Sequence, residues 1–209
     1  MKKALFRKYL ILSFVLCSFA FGQRISCSTD GDGNILEGQV CKMLDNRDKK
    51  LYKVVKINGQ VWMAQNLNYI TGECFNREVE YCDEYGRLYE WSFARKACPE
   101  GWHLPTKPEW DKLISAIDGK LAGRRLRARI WGGGDDYEFA ALPGGYRLHS
   151  GFLYNGTTGN WWTATDEGSG CKKGQAFFKQ MHSDFDEVLE YCYDKGLYGF
   201  SVRCVKDGD

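Results

Sequence analysis

The sequence predicts a disulfide-stabilised α+β domain, with short helices early and twisted antiparallel strands late. Three observations carry this expectation. A capping box at Thr106 opens an amphipathic stripe, Asn58-Gly59 marks a hairpin, and a succession of short alternating runs punctuated by glycine fills the chain beyond Gly132. Helices and strands that segregate along the chain, rather than alternate, favour α+β over α/β.

The chain opens on Lys2, Lys3, Arg7 and Lys8, followed by the apolar run Tyr9 to Phe19 and the small-residue end Ala20-Phe21-Gly22. This is the pattern of a signal peptide, residues 1–22, cleaved before Gln23. The apolar run is short for the ~20 residues that cross a bilayer, and no second run follows, so no membrane span is expected. A lipid anchor at Cys17 is disfavoured, because bulky Leu16 stands where such a signal wants a small residue. The leader holds four of the 29 basic residues and none of the 27 acidic ones, so the basic balance of the whole chain reverses once it is removed. Such a balance gives no argument for nucleic acid or anionic membranes, and the cluster Lys120 to Arg129 reads as an exposed face.

Residues 23–44 form a polar, glycine-rich and detachable-looking segment. Asp30, Asp32 and Asn34 have the spacing of half a calcium loop, but Ile35 replaces its glycine and Cys41 its closing glutamate. Lys53 to Ile57 and Gln60 to Ala64 flank Asn58-Gly59, a register that pairs Val55 with Trp62. Trp91 to Ala97 reads as a short helix stopped by Cys98-Pro99. Thr106 and Glu109 then cap a helix whose stripe is Trp110, Leu113, Ile114 and Ile117, ending at Asp118-Gly119, with a weaker helix over Leu121 to Arg129. The expected strands are Tyr137 to Leu142, Gly145 to Leu148, Phe152 to Tyr154, Asn160 to Thr165, Gln175 to Met181, Val188 to Tyr193 and Leu197 to Val205.

Nine cysteines less Cys17 leave Cys27, Cys41, Cys74, Cys82, Cys98, Cys171, Cys192 and Cys204. An even set in an exported chain reads as cystines, and none of the spacings is that of a zinc site. Spacing alone leaves the connectivity open. His103, His149 and His182 are scattered without carboxylates at ligand spacing, so no metal and no cofactor is expected, and packing or a hydrogen bond is the expected role of His103. Ser92, Ser150 and Ser201 lack a nucleophile elbow, and Gly132-Gly133-Gly134 lacks the residues of a phosphate cradle. Asp135, Asp136 and Glu138 beside Trp131 are what a glycosidase would use and equally what a polar loop contains. No catalytic residue is assigned.

Aromatics are the remaining lead, with 12 Phe, 12 Tyr and 7 Trp in the chain. Trp161 and Trp162 are adjacent, so on a strand they point to opposite faces, and the expectation is that only one enters the core. An exposed ring flanked by Tyr154, Asn155 and Asn160 would make a sugar platform, with a flat apolar face and amides for hydroxyls. The alternative covers both rings with glycine-rich loops.

Several stretches together resemble the Fibrobacter succinogenes major paralogous domain, a family of secreted bacterial domains. They include Val55-Lys-Ile-Asn-Gly-Gln-Val-Trp-Met-Ala-Gln-Asn-Leu-Asn-Tyr69, Cys98-Pro-Glu-Gly-Trp-His-Leu-Pro-Thr-Lys-Pro-Glu-Trp110, Leu142-Pro-Gly-Gly-Tyr-Arg147, Trp161-Trp-Thr-Ala-Thr165 and Gly199-Phe-Ser-Val-Arg-Cys-Val-Lys206. The resemblance runs from about Asp45 to Asp207, giving a domain at 45–209 after the segment 23–44. Two of the blocks are also similar to the sulfatase-modifying-factor branch of C-type-lectin-like folds, which implies that scaffold. The resemblance implies a Cys98–Cys204 cystine, from which Cys74–Cys82, Cys171–Cys192 and Cys27–Cys41 follow as local pairs. It also implies a fibre-degrading bacterial setting. The expected function is therefore a secreted or cell-surface, non-catalytic binding or adhesion module for polysaccharide or cell-surface glycan. A glycoside hydrolase, a remote sulfatase-modifying-factor-like oxidase and a purely structural surface protein are the alternatives, and the oligomeric state stays open.

Overall fold

The computed structural model describes residues 24–27, 30, 34–166, 168 and 170–208. The expected leader, its cleavage before Gln23, Cys17 and Asp32 lie outside the described residues. Asp30 and Asn34 bond to each other, Asn34 N–H donating to Asp30 Oδ1 at 2.8 Å.

Strands come first. β1 (Ile25–Ser26) pairs with β2 (Val40–Leu44), and β2 pairs with β3 (Leu51–Ile57). The chain then turns at Asn58 and Gly59, with φ of 49° and 75°, into β4 (Gln60–Met63), and Val55 lies opposite Trp62 as the Asn-Gly signal requires. The middle of the chain carries α1 (Val79–Tyr85), β5 (Leu88–Glu90), α2 (Trp91–Ala94), β6 (Trp102–His103), α3 (Lys107–Ala116) and α4 (Ala122–Leu126). After these come β7 (Gly144–Leu148), β8 (Gly151–Asn155), β9 (Thr158–Trp162), β10 (Gln175–His182), β11 (Leu189–Asp194), β12 (Gly199–Ser201) and β13 (Val205–Lys206). They build a six-stranded sheet, β1-β2-β3-β4-β13-β6, and a seven-stranded one, β11-β10-β9-β12-β7-β8 with β5 added beside β12.

The domain is therefore mostly β with a few short helices, and the expected order of helices early and strands late does not hold. The first sheet is begun by the amino-terminal segment and the Asn-Gly hairpin. Residues 23–44 look detachable in sequence, yet β2 turns Cys41 and Met43 inward, 2% and 0% exposed, by simple period-two alternation. Leu197 to Val205 is not one strand: β12 belongs to one sheet and β13 to the other, and Val202-Arg203-Cys204 crosses between them. Tyr137 to Leu142 is not a strand, because Glu138 and Ala140 take φ of 56° and 50° and break the extended path.

The capping box forms as expected. Thr106 Oγ1 accepts from Glu109 N–H, and Glu109 Oε2 accepts from Thr106 N–H at 2.7 Å. Trp110, Leu113 and Ile117 are buried, with Ile114 packed at the margin. The left-handed residue that ends the stripe is Asp118, with φ of 74°, not Gly119. In the basic cluster Arg124 and Arg129 are exposed, but Arg127 is buried: its guanidinium donates to the carbonyls of His182 and Phe185 and lies over the Trp131 ring.

Four cystines join Cys27–Cys41, Cys74–Cys82, Cys98–Cys204 and Cys171–Cys192. This is the pairing implied by the resemblance. Buried side chains form two clusters, one with Trp102, Trp162, Phe178 and Phe200, the other with Trp62, Trp110, Phe139 and Trp161. The seven-stranded sheet is thus packed on both faces.

Candidate ligand-binding face

Strand alternation sends Trp162, Phe178 and Phe200 to the same face of the seven-stranded sheet, where Phe200 lies 4.4 Å from each of the other two rings. These rings are buried and form a rigid base. Around it, tyrosines follow one another from β11 to β8. Tyr193 stacks on Tyr198 at 4.5 Å, Tyr198 lies 5.9 Å from Tyr146, and Tyr146 stacks on Tyr154 at 5.6 Å. Tyr191 packs on Phe178 at 5.8 Å. Tyr154, Tyr191 and Tyr193 are 56%, 44% and 38% exposed, and Tyr146 and Tyr198 are half-buried beneath them.

Burial pushes the Tyr146 hydroxyl upward, and the neighbouring hydroxyls of Tyr154, Tyr198 and Tyr193 push it further; Tyr193 is raised likewise by burial, Tyr198 and Tyr191. Both therefore stay protonated at neutral pH and can donate as well as accept. Two residues along from Phe178 and Trp162 on the same face, Gln180 Nε2 donates to Asn160 Oδ1 at 2.8 Å, setting an amide pair beside the rings.

Of the five residues read as a platform from sequence, only Tyr154 joins this exposed strip. Trp161 and Trp162 do point to opposite faces, but each face has its own core, so both are 0% exposed. Their indole N–H groups are satisfied inside, Trp161 by Asn66 Oδ1 and Trp162 by the Tyr89 carbonyl, both at 2.8 Å. Asn160 is 1% exposed and serves the interior, and Asn155 is half-buried. Both rings are thus covered, by two cores rather than by glycine-rich loops, and the expectation that only one of them enters the core is corrected. The period-two pair Tyr191 and Tyr193, within the expected strand Val188 to Tyr193, is the sequence signal for this strip.

The model of the Fibrobacter succinogenes major domain matches residues 55–206, from within β3 to the end of β13. The chain belongs to that family. Neither a curated protein nor a solved structure matches it. The span of the Fibrobacter succinogenes major domain contains every tyrosine of the strip, whereas β1 and β2 precede it.

Elsewhere in this Fibrobacter succinogenes major domain two carboxylates of the 132–140 loop, Asp135 and Asp136, are engaged by neighbouring protein groups. Asp135 Oδ1 accepts from Ala140 N–H at 2.7 Å, and Asp136 lies 3.7 Å from Arg125. No group of three or more His, Cys, Asp or Glu able to hold a metal ion occurs among the described residues. His103 is clamped between two acids, Nε2 2.8 Å from Glu109 Oε1 and Nδ1 2.5 Å from Asp207 Oδ1. The bond to Glu109, followed by that to Asp207, outweighs burial and raises its pKa to about 9. Burial pushes the Glu109 carboxyl up, but the bonds from His103 and Thr106 prevail and hold it below its ordinary value.

The folded pKa of His103 is raised, so the clamp stabilises fully below the ordinary histidine value of ~6.5 and its contribution is lost as pH rises through about 9. Glu109 is lowered, so its contribution is lost as pH falls through the acid range. With the ring 38% exposed, the histidine effect is about 1 kcal/mol after discounting for solvent screening. Urea midpoints at pH 6, 8 and 10 should fall in that order for the native chain and flatten for His103→Gln; parallel profiles would show that the clamp contributes nothing.

Proposed function

We propose that this chain is an exported, disulfide-stabilised, non-catalytic binding module on a C-type-lectin-like scaffold, and that it retains glycan or plant-wall polysaccharide on its tyrosine strip. The observation that carries the reading is the run Tyr193, Tyr198, Tyr146 and Tyr154 resting on the buried Trp162, Phe178 and Phe200 base. A pyranose offers an apolar face of C–H groups ringed by hydroxyls. Aromatic faces receive the first, while tyrosine hydroxyls receive the second. Rings already fixed by packing lose little freedom on binding, which favours affinity from a shallow surface. A solvent-facing aromatic patch on a structured sheet is also what a monomeric domain avoids without a partner.

Export is supported by the basic and apolar leader and by four cystines, which persist in oxidising compartments. Two acids facing each other across a sugar-sized gap would favour the hydrolase reading, but Asp135 and Asp136 are engaged within and beside their own loop. Residues 23–209, purified with cystines intact, should be retained on one or more members of a glycan array or on an insoluble polysaccharide without releasing sugar. Reducing sugar released in proportion to protein would establish the hydrolase instead. No retention on any glycan would leave the structural surface protein as the better reading.

A further inference from the structure

Away from the tyrosine strip, a cleft of ≈ 690 Å³ lies between the tip of the β3–β4 hairpin, the start of α3 and the carboxy-terminal strand, closed on one side by Ile25 and Ile35. That volume is within the range of small-molecule sites. Val61, Pro108 and Val205 give it an apolar lining.

The charges around it are unevenly engaged. Glu109 and Asp207 both line the cleft and both are held by His103, at 2.8 and 2.5 Å, with Glu109 also accepting from Thr106. Lys56, Lys112 and Lys206 line the cleft as well; Lys206 is engaged in an interaction of its own, whereas Lys56 and Lys112 make no ion pair among the described residues. Gln60 lines it too, and its Oε1 is buried and has no hydrogen bond within the protein. The net demand of the cleft is therefore for negative charge at the rim, apolar surface inside and one donor near Gln60.

We propose that this cleft binds an organic carboxylate with an apolar body, the carboxylate towards Lys56 and Lys112 and the body against Val61, Pro108 and Val205. A cation of the same shape would meet the two lysines and lose. A carboxylate without an apolar body would gain only screened surface pairing, which is weak. A hydroxyl or amide on the body would add a bond to Gln60 Oε1.

Calorimetric titration of the purified chain with octanoate, octylammonium and acetate at low ionic strength tests this. Octanoate should bind, octylammonium should bind at least about tenfold more weakly and acetate should give no measurable heat. Lys56→Glu with Lys112→Glu should weaken octanoate about tenfold, and Val61→Asp should weaken it by placing a negative charge on the apolar wall. Lys112 is exposed on α3, so Lys112→Gln, expected to cost about threefold, keeps the test available if the double variant does not fold. Equal binding of octanoate and octylammonium, native affinity in the lysine variants, or no octanoate binding at millimolar concentration would each overturn the proposal. Glycan retention should be unchanged in all three variants.

Discussion

Replacing Arg203 by alanine should destabilise the domain by about 3–5 kcal/mol and lower its melting temperature by roughly 10–15 °C. Arg203 is 0% exposed at the crossing between the two sheets. Burial lowers its pKa to about 9. It makes no ion pair among the described residues; its charge is instead spread over neutral oxygens. Its guanidinium donates to the carbonyls of Phe139 and Ala140 and to Asn66 Oδ1, the last at 2.9 and 3.2 Å. It also lies over the Phe139 ring at 4.3 Å.

Asn66 completes the network, accepting from Trp161 and donating to the Tyr85 carbonyl and Ser201 Oγ. Alanine at position 203 strips the partners from two loop carbonyls and leaves a cavity among Trp161, Phe139 and Asn66. Lysine keeps the charge but not the planar fork, and should recover less than half of the loss. Urea unfolding of Arg203→Ala and Arg203→Lys checks both values. A loss below about 1 kcal/mol for alanine would show that the crossing is held without it.

Removal of the Cys98–Cys204 cystine should cost about 4 kcal/mol, the largest effect of the four. It spans 106 residues, against 8 for Cys74–Cys82 and 14 and 21 for the other two, so it removes the most freedom from the unfolded chain. It also anchors the crossing segment one residue beyond Arg203, where Cys204 is 0% exposed and its carbonyl accepts from Met63 N–H. Cys98→Ala with Cys204→Ala should therefore unfold at markedly lower urea than Cys74→Ala with Cys82→Ala, for which about 2 kcal/mol is expected. Equal midpoints for the two pairs would contradict the loop-length argument.

The legible parts of the fold were those governed by local chemistry. The reciprocal bonds of Thr106 and Glu109, the left-handed turn at Asn58-Gly59 and the Val55–Trp62 register each depend on a few adjacent residues. The cystines came from a resemblance, since eight cysteines alone leave their connectivity open. What did not emerge was pairing between distant segments. Nothing local in Leu197 to Val205 says that it must pass from one sheet to the other, and β2 is five residues whose inward pair is a cysteine and a methionine.

The site follows the same division. Alternation correctly sends Trp161 and Trp162 to opposite faces, but whether a face is solvated depends on what packs over it. Here two separate cores cover both rings. Tyr154 was recognised, with φ of 60° on β8, whereas Tyr146, Tyr191, Tyr193 and Tyr198 are brought to it only by the sheet order.

The central claim is that the tyrosine strip, not the tryptophans, holds the ligand, and retention on polysaccharide by strip variants tests it most directly. Tyr193→Ala and Tyr154→Ala remove exposed rings, so each should weaken retention about fivefold with little change in melting temperature, and the pair should weaken it by more than tenfold. A double variant that stays folded and is retained as well as the native chain, on a polysaccharide that the native chain demonstrably binds, would contradict the claim.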